Sequence, residues 1–579
     1  MSTPHPKLNQ FLATGICGND ILSSALYVSG IAITFAGIYA PIVLAIIGIV
    51  LFFYTSVYTE VVEALPINGG AYNCLLNSTA KPFAAIAGIT TVLSYMATAV
   101  ISGYVAISYL HSLFPQIPLL QTTVGLLVLF AFLVISGLKD SAKVAFAIFS
   151  LHILVLTAFV VLGIYHMATS HSYLVENFHS SVSIIHNQGG ILRSLFFAFA
   201  ASLLGVSGFE SSANFVEEQA PGVFRKTLRN MLVGVIIFNP LIALVVLSSL
   251  PMNVIAQSTD FVLANSALAL GGQIFRVIII TDAFLVLSGA VLTAYVGVGG
   301  LISRMASDNC LPYFFNKQNK KGSHPRIVVS FLVLCISILL ITRGDLFSMA
   351  GVYTIAFLSV MTLFALGNLI LRQTRPDLKR TYSAPLPYVI LAMLATMMGV
   401  IGNILNDPRN LYSFIVYFIP AVILVLSVVY LDNLLQLILN LTTGLPILHS
   451  YFERYFHRIT SGTLVAFVHN PKSLHEILWY ITRNETHHNI VIVHCKEEID
   501  SEFHGGFEVI NSLLPSLHEA GVFPHLKIQT MYIDESFGPH VVHKVSKQLS
   551  VPNNHILIGA IHHYHPFEYA DLGGVRIIL

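Results

Sequence analysis

Residues 15–27 read GICGNDILSSALY and residues 203–219 read LLGVSGFESSANFVEEQ, so each places an acid, Asp20 or Glu210, among small and hydroxyl residues inside apolar sequence. An ionised carboxylate at bilayer depth costs about 2.5–3.5 kcal/mol on insertion scales, and an intramembrane acid is therefore a functional candidate by default. Together with neighbouring hydroxyl residues the two acids supply carboxylate and hydroxyl oxygens, the kind of atom that replaces the hydration shell of a monovalent cation. Buried carboxylates also bind protons, so the same set can couple one ion to the other. No metal site beyond one for a monovalent cation is expected. The competing reading of Asp20 is a helix cap, and that of Glu210 is structural pairing with a neighbouring helix. Asp282, inside IIITDAFLVL, is a further intramembrane acid with no motif around it.

These residues need a membrane scaffold to position them, and the composition provides one. Of 579 residues 55% are hydrophobic and only 10% charged, and the mean hydropathy is +0.77. That composition belongs to a polytopic membrane protein. A net charge of +1 without a dense basic face argues against nucleic acid as a partner. The five scattered cysteines lack CxxC spacing and suggest neither a disulfide framework nor a zinc site. No nucleophile, base and orienter can be assembled from the motifs, so an enzyme is not expected. The N-terminal run lacks a charged region leading to a small-residue cleavage site, and the first helix is expected to be retained.

A window of about 20 apolar residues per crossing places twelve spans near 12–38, 39–64, 82–113, 118–137, 142–168, 191–216, 228–251, 273–302, 326–342, 347–371, 385–405 and 410–435. Lys and Arg concentrate in the loops at 137–143, 217–229, 303–326 and 372–380, whereas the loop at 171–190 has none. The positive-inside rule then puts both termini in the cytoplasm of a cell-membrane protein. The two Gly-punctuated polar helices stand five spans apart, as in a five-plus-five inverted repeat whose first and sixth helices are broken at the midplane. Such breaks are tolerated only where they line a cavity.

The loop SRMASDNCLPYFFNKQNKKGSHPRIVVS (303–330) resembles the cytoplasmic loop of the amino acid/polyamine/organocation superfamily, and EVVEALPINGGAYNCLLNSTAKPFAAIAG (60–88) resembles the pattern after its second span. The resemblance implies an all-α membrane domain of the leucine-transporter type. DILSSALY, with an Asp seven residues before a Tyr, is similar to the first helix of the KUP/KimA-like potassium transporters. In that branch an Asp, a Thr and a Ser recur along the third helix; here Ser94, Thr98 and Ser102 occupy the places on one helical face. Ser207 and Glu210 stand where the branch has a hydroxyl residue and a glutamate. The resemblance thus implies a cation site of Asp20, Tyr27, Thr98, Ser102, Ser207 and Glu210, with Ser94 in place of an acid.

Beyond the transporter domain, 1–435, residues 436–462 read as an amphipathic connector on the membrane surface. Residues 463–579 alternate short β-branched runs with helical stretches, which predicts a small cytoplasmic α/β regulatory domain with a parallel sheet. Sixteen of the 24 histidines fall after residue 448, including HHYH at 562–565, but no zinc spacing accompanies them. The tail is similar to universal-stress-protein domains, whose Gly-rich loop after the fourth strand cradles phosphate. IGAIHHYHPFEYADLGG has too few glycines for that pattern, which leaves a regulatory nucleotide as the weaker option and no cofactor otherwise.

The leading expectation is proton-coupled potassium uptake by alternating access. A proton-coupled amino acid permease is the alternative, supported by the generic loops and by GFESSANFVEEQ followed by Pro221. A transport-dead membrane sensor is a third. The expected partners are the transported ion or solute, the coupling proton and membrane lipid; oligomeric state is open, a homodimer among the options.

Overall fold

A computed structural model describes residues 7–137, 142–170, 172–214, 216–376, 378, 380–460, 462–485, 489–496, 506–519, 526–559, 567, 572 and 575–577. Two compact units result. The first comprises residues 1–78, 86–303 and 314–422, and the second residues 79–85, 304–313 and 423–579.

The first unit is helical. Asn9 starts α1 (Gln10–Ser23) by accepting the Leu12 N–H at 3.0 Å, the side-chain cap that satisfies a free helix donor. Asp20 lies in the last turn of α1, not at its start, so the capping role belongs to Asn9. After Ser24 the chain continues as α2 (Ala25–Ala36), turns at Gly37, where φ is +54°, and returns as α3 (Ala40–Ala64). A short α4 (Gly70–Ser78) precedes the long α5 (Lys81–Leu113), and α6 (Leu119–Ile135) and α7 (Ala142–Thr169) follow. The segment 171–190, read from sequence as a loop, instead holds α8 (Leu174–Asn187). Its buried Asn177 donates to the Leu247 and Leu250 carbonyls at 2.7 and 2.8 Å.

Next come α9 (Ile191–Ser202), α10 (Val223–Ser249) and the short α11 (Met252–Gln257). The helical run α12 (Val262–Ser307) is interrupted at Gly271 and Gly272, the latter at φ +70°. The unit is completed by α13 (Pro325–Ile341), α14 (Leu346–Thr374), α15 (Leu386–Asn406) and most of α16 (Pro408–Val429). Among the described residues nine helical stretches are long and apolar enough to cross a membrane, the first of them the 55-residue run Gln10–Ala64. The apolar helices α6 and α13 are shorter. Each expected window overlaps one or more of these helices.

The motif residues hold loops. Glu60, buried on α3, accepts Arg372 Nε at 2.9 Å and the Ala384 N–H at 2.9 Å. Arg380 stands 3.6 Å from the same carboxylate, which gives the buried acid two guanidinium partners. Asn68 and Glu217 bond reciprocally, each backbone N–H to the other's side-chain oxygen, at 2.9 and 3.0 Å. Thus the segment after Glu210 is tied to the turn after α3.

In the second unit the expected connector is two helices, α17 (Leu431–Leu441) and α18 (Pro446–Thr460), beginning a few residues earlier than the sequence suggests. Then come β1 (Thr463–Phe467), α19 (Leu474–Asn484), β2 (Asn489–Cys495), α20 (Gly506–Glu519), β3 (Lys527–Ile533), α21 (Pro539–Leu549), β4 (Ile556–Ile558) and β5 (Arg576–Ile577). The sheet is parallel throughout in the order β3-β2-β1-β4-β5. Buried Leu464, Ala466, Ile490, Ile492 and Leu557 pack against Leu474, Leu478 and Ile481 of α19. Four strands match the runs expected from sequence; β5, two residues long, carries no such signal. The HHYH run and most of the loop after β4 lie outside the described residues.

This unit is also stapled by charge. Lys81 Nζ donates to Glu485 Oε1 at 3.0 Å and to the Asn484 carbonyl at 2.9 Å. Arg576 donates to Glu485 Oε2 at 3.0 Å and stands 3.5 Å from Asp308, which pairs with Arg304 at 3.2 Å.

Candidate functional site

The site forms where two interrupted helices meet. The first interruption is narrow: Ser24 separates α1 from α2 yet keeps right-handed helical angles. Its hydroxyl lies 2.6 Å from the Ile21 carbonyl and 3.2 Å from that of Gly205. The second is wide. After α9 the chain tightens into a 3-10 turn at Leu203–Val206, extends at Ser207 with ψ 146°, and turns left-handed at Gly208 with φ +87° before another 3-10 turn, Glu210–Asn214. Only a residue without Cβ fits at Gly208, because a Cβ there would stand 2.8 Å from Asp20 Cγ.

Glu210 folds back on this loop. Its Oε2 accepts the Gly208 N–H at 3.0 Å and its Oε1 accepts the Ser94 hydroxyl of α5 at 3.1 Å. Asp20 Oδ2 is 2.7 Å from Ser211 Oγ, which is also 2.7 Å from the Gly208 carbonyl. A hydroxyl carries one proton and two acceptor lone pairs. If Ser211 donates to Gly208, its contact with Asp20 needs a proton on the acid; if it donates to Asp20, Oδ2 accepts without carrying a proton, as it does in the ionised acid. The contact therefore serves either protonation state of Asp20. Both acids are buried, at 5% and 7% exposure, and neither has a salt-bridge partner among the described residues. Such a pair invites a proton or a cation.

Tyr27 is buried with its phenol beside Ser207. Thr98 Oγ1 lies 2.6 Å from Tyr353 Oη and 3.0 Å from the Ser94 carbonyl. Ser102 is buried one turn farther along α5, with no hydrogen bond to either acid among the described residues. Of the expected set, Asp20 and Glu210 thus converge on Gly208, Tyr27 and Ser207 pair beside them, and Thr98 reaches the group through Ser94. Ser211, Ser94 and Tyr353 complete the arrangement. Ser211 adjoins Glu210 in the GFESS run and was within reach of a sequence argument; Tyr353, on α14, carried no local signal.

Asp282 also finds a partner. Its Oδ2 is 2.7 Å from Nδ1 of His152 on α7, a residue the sequence reading passed over.

Comparison with known proteins agrees with this architecture. The family described as amino acid permease matches residues 8–428. An uncharacterized transporter of Mycobacterium tuberculosis is 25% identical over 379 residues, which cover 58% of this chain and 74% of the relative. Its counterpart in Mycobacterium bovis matches to the same extent. Among solved structures, a manganese transporter of Eremococcus coleocola in complex with an aromatic bis-isothiourea substituted compound aligns at TM-score 0.50 and 12% identity, over 77% of this chain and 95% of that one. At that identity the likeness concerns the fold. This multi-pass membrane protein is a secondary transporter, not an enzyme, and belongs to the amino acid permease family of the amino acid/polyamine/organocation superfamily.

Proposed function

We propose that the chain takes up a monovalent cation, potassium, together with protons by alternating access. The observation that carries this reading is the convergence of two buried carboxylates, Asp20 and Glu210, on one helix break without a salt-bridge partner among the described residues. Asp20 attracts the cation, and hydroxyls of Ser211, Ser94 and Thr98 with freed backbone carbonyls replace its water. Glu210, already holding the Gly208 N–H, is the proton carrier. The first and sixth of twelve spans form the two moving breaks of a five-plus-five repeat, and the Lys and Arg distribution puts both termini and the α/β regulatory unit in the cytoplasm.

The alternative is a proton-coupled amino acid permease, favoured by the family match. Against it, an amino acid's carboxylate needs free N–H groups at a helix break, and here Glu210 occupies that of Gly208. Expression in a strain lacking potassium uptake should restore growth at limiting potassium. Failure to do so, with uptake of labelled amino acids instead, overturns the potassium reading.

A further inference from the structure

Only Tyr430 separates the end of α16 from the start of α17, and α17 and α18 then carry an apolar side that their own packing does not use. Along α17 the exposed Leu434, Leu437 and Leu441 recur at i, i+3 and i+7, which sets them on one face. Asn433, Gln436 and Asn440, also exposed, fall on the other side. Along α18 Ile447, Leu448 and Tyr451 form a second such face at i, i+1 and i+4. These six apolar side chains are 39 to 84% exposed, and Leu445, in the turn between the helices, is exposed as well.

A different set of groups closes the hairpin. Leu435 and Thr442 are buried, His449 Nδ1 of α18 lies 3.2 Å from the Leu439 carbonyl of α17, and the Leu445 N–H donates to the Thr442 carbonyl at 2.8 Å. Closure therefore uses one side of each helix and leaves the apolar side uncovered among the described residues. A contiguous apolar patch of this kind marks a membrane or a protein partner. Three features favour lipid. The hairpin is tethered by one residue to α16, which is long and apolar enough to cross a membrane and exposes Ile419, Ile423 and Leu424 of its own, so the chain delivers it at the bilayer surface. Tyr430 at the join and Tyr451 on the face are both exposed, and rings with a polar tip favour that interface. Arg454, exposed, follows Ile447 at i+7 and Tyr451 at i+3 on the same face; its guanidinium can rise to the lipid phosphates while its stem stays among apolar chains.

We propose that α17 and α18 form a lipid-binding hairpin whose tip, residues 441–448, is sunk about 5–10 Å into one leaflet, at the boundary between headgroups and acyl chains. The second unit thereby has a lipid attachment of its own. The surface connector expected from sequence becomes two helices and an inserted turn, and the inference depends on neither potassium nor protons as the transported species.

Tryptophan fluorescence of the full-length protein tests it. Trp479 is the single tryptophan, so Trp479→Phe gives a silent background. Into that background Leu441→Trp and Ile447→Trp each place a reporter on the apolar face of one helix, and Gln436→Trp places one on the polar side of α17. Variants whose elution profile matches wild type are reconstituted in vesicles of phosphatidylcholine and phosphatidylglycerol, the phosphatidylcholine either plain or brominated near the carboxyl end of its acyl chains. Emission from Leu441→Trp and Ile447→Trp is expected to fall about threefold in the brominated vesicles, with little quenching by aqueous acrylamide, and Gln436→Trp to show the reverse. If bromine fails to quench either face reporter, the proposal is overturned: quenching by acrylamide instead puts the face in water, and shielding from both quenchers puts a protein, such as a second copy of the chain, over it.

Discussion

Gly208 and Asp20 are in direct contact: a Cβ on the glycine would come within 2.8 Å of the aspartate's Cγ and 2.9 Å of its backbone carbon. Gly208→Ala must therefore move either the break or the acid, and it also strains a backbone at φ +87°, at a cost of about 1–3 kcal/mol. Uptake in proteoliposomes should drop at least tenfold in the variant, while its membrane level and elution profile match wild type.

Asp20→Asn keeps shape and the Ser211 contact but removes the charge that attracts a cation. Uptake should fall severely with insertion unchanged, and the loss should appear as a raised half-saturating cation concentration. Transport at the wild-type rate would show that the acid has no part in substrate binding and would favour the amino acid reading.

Glu210→Gln can still accept the Gly208 N–H and meet Ser94. What it loses is a titrating carboxyl. Accumulation against a gradient should disappear and the response of uptake to external pH should weaken, while downhill flux persists. A full wild-type pH response would move proton coupling elsewhere.

In the second unit, burial would by itself raise the Glu485 carboxyl, but Arg576 and Lys81 outweigh it and hold the acid down at about 2. A depressed folded value contributes stability that is complete above the ordinary glutamate range and is lost as pH falls from about 4.5 toward about 2. The single tryptophan, Trp479, sits on α19, the helix that ends at Glu485, and its fluorescence is the readout of unfolding. Glu485→Gln should destabilise the unit at neutral pH by about 3–5 kcal/mol and lower the loss between pH 4.5 and 2. Overlapping profiles for the two proteins would contradict the staple.

Topology is open to cysteine labelling, because Ser183 on α8 and Lys320 in the 303–326 loop are both exposed. With native cysteines replaced, a membrane-impermeant maleimide added to intact cells should label Ser183→Cys and spare Lys320→Cys until the membrane is opened. The reverse pattern would invert the orientation.

Hydropathy in the sequence was enough to locate the long apolar helices, most of their boundaries to within a few residues, and the strand-helix alternation of the tail, because those features depend on contiguous residues and on the bilayer's thickness. Asp20 and Glu210 were also legible, since an acid in an apolar run stands out by cost alone. The α8 helix was missed because its 14 residues carry a mixed polar face that reads as loop, and β5 because two residues hold no periodicity.

What the tertiary structure decided is which oxygen faces which. Glu210 turns back onto the Gly208 N–H, Ser211 bridges to Asp20 across 191 positions of chain, and Ser102 stays apart although it shares a helical face with Thr98. His152 shows the limit most clearly: as a lone histidine in FSLHILVL it offers no pattern, yet a contact 130 residues away gives it Asp282. Local sequence sets the conformations available to each helix. Pairing of buried polar groups is settled only when the helices pack, because the cost of leaving them unpaired is felt only once water is excluded.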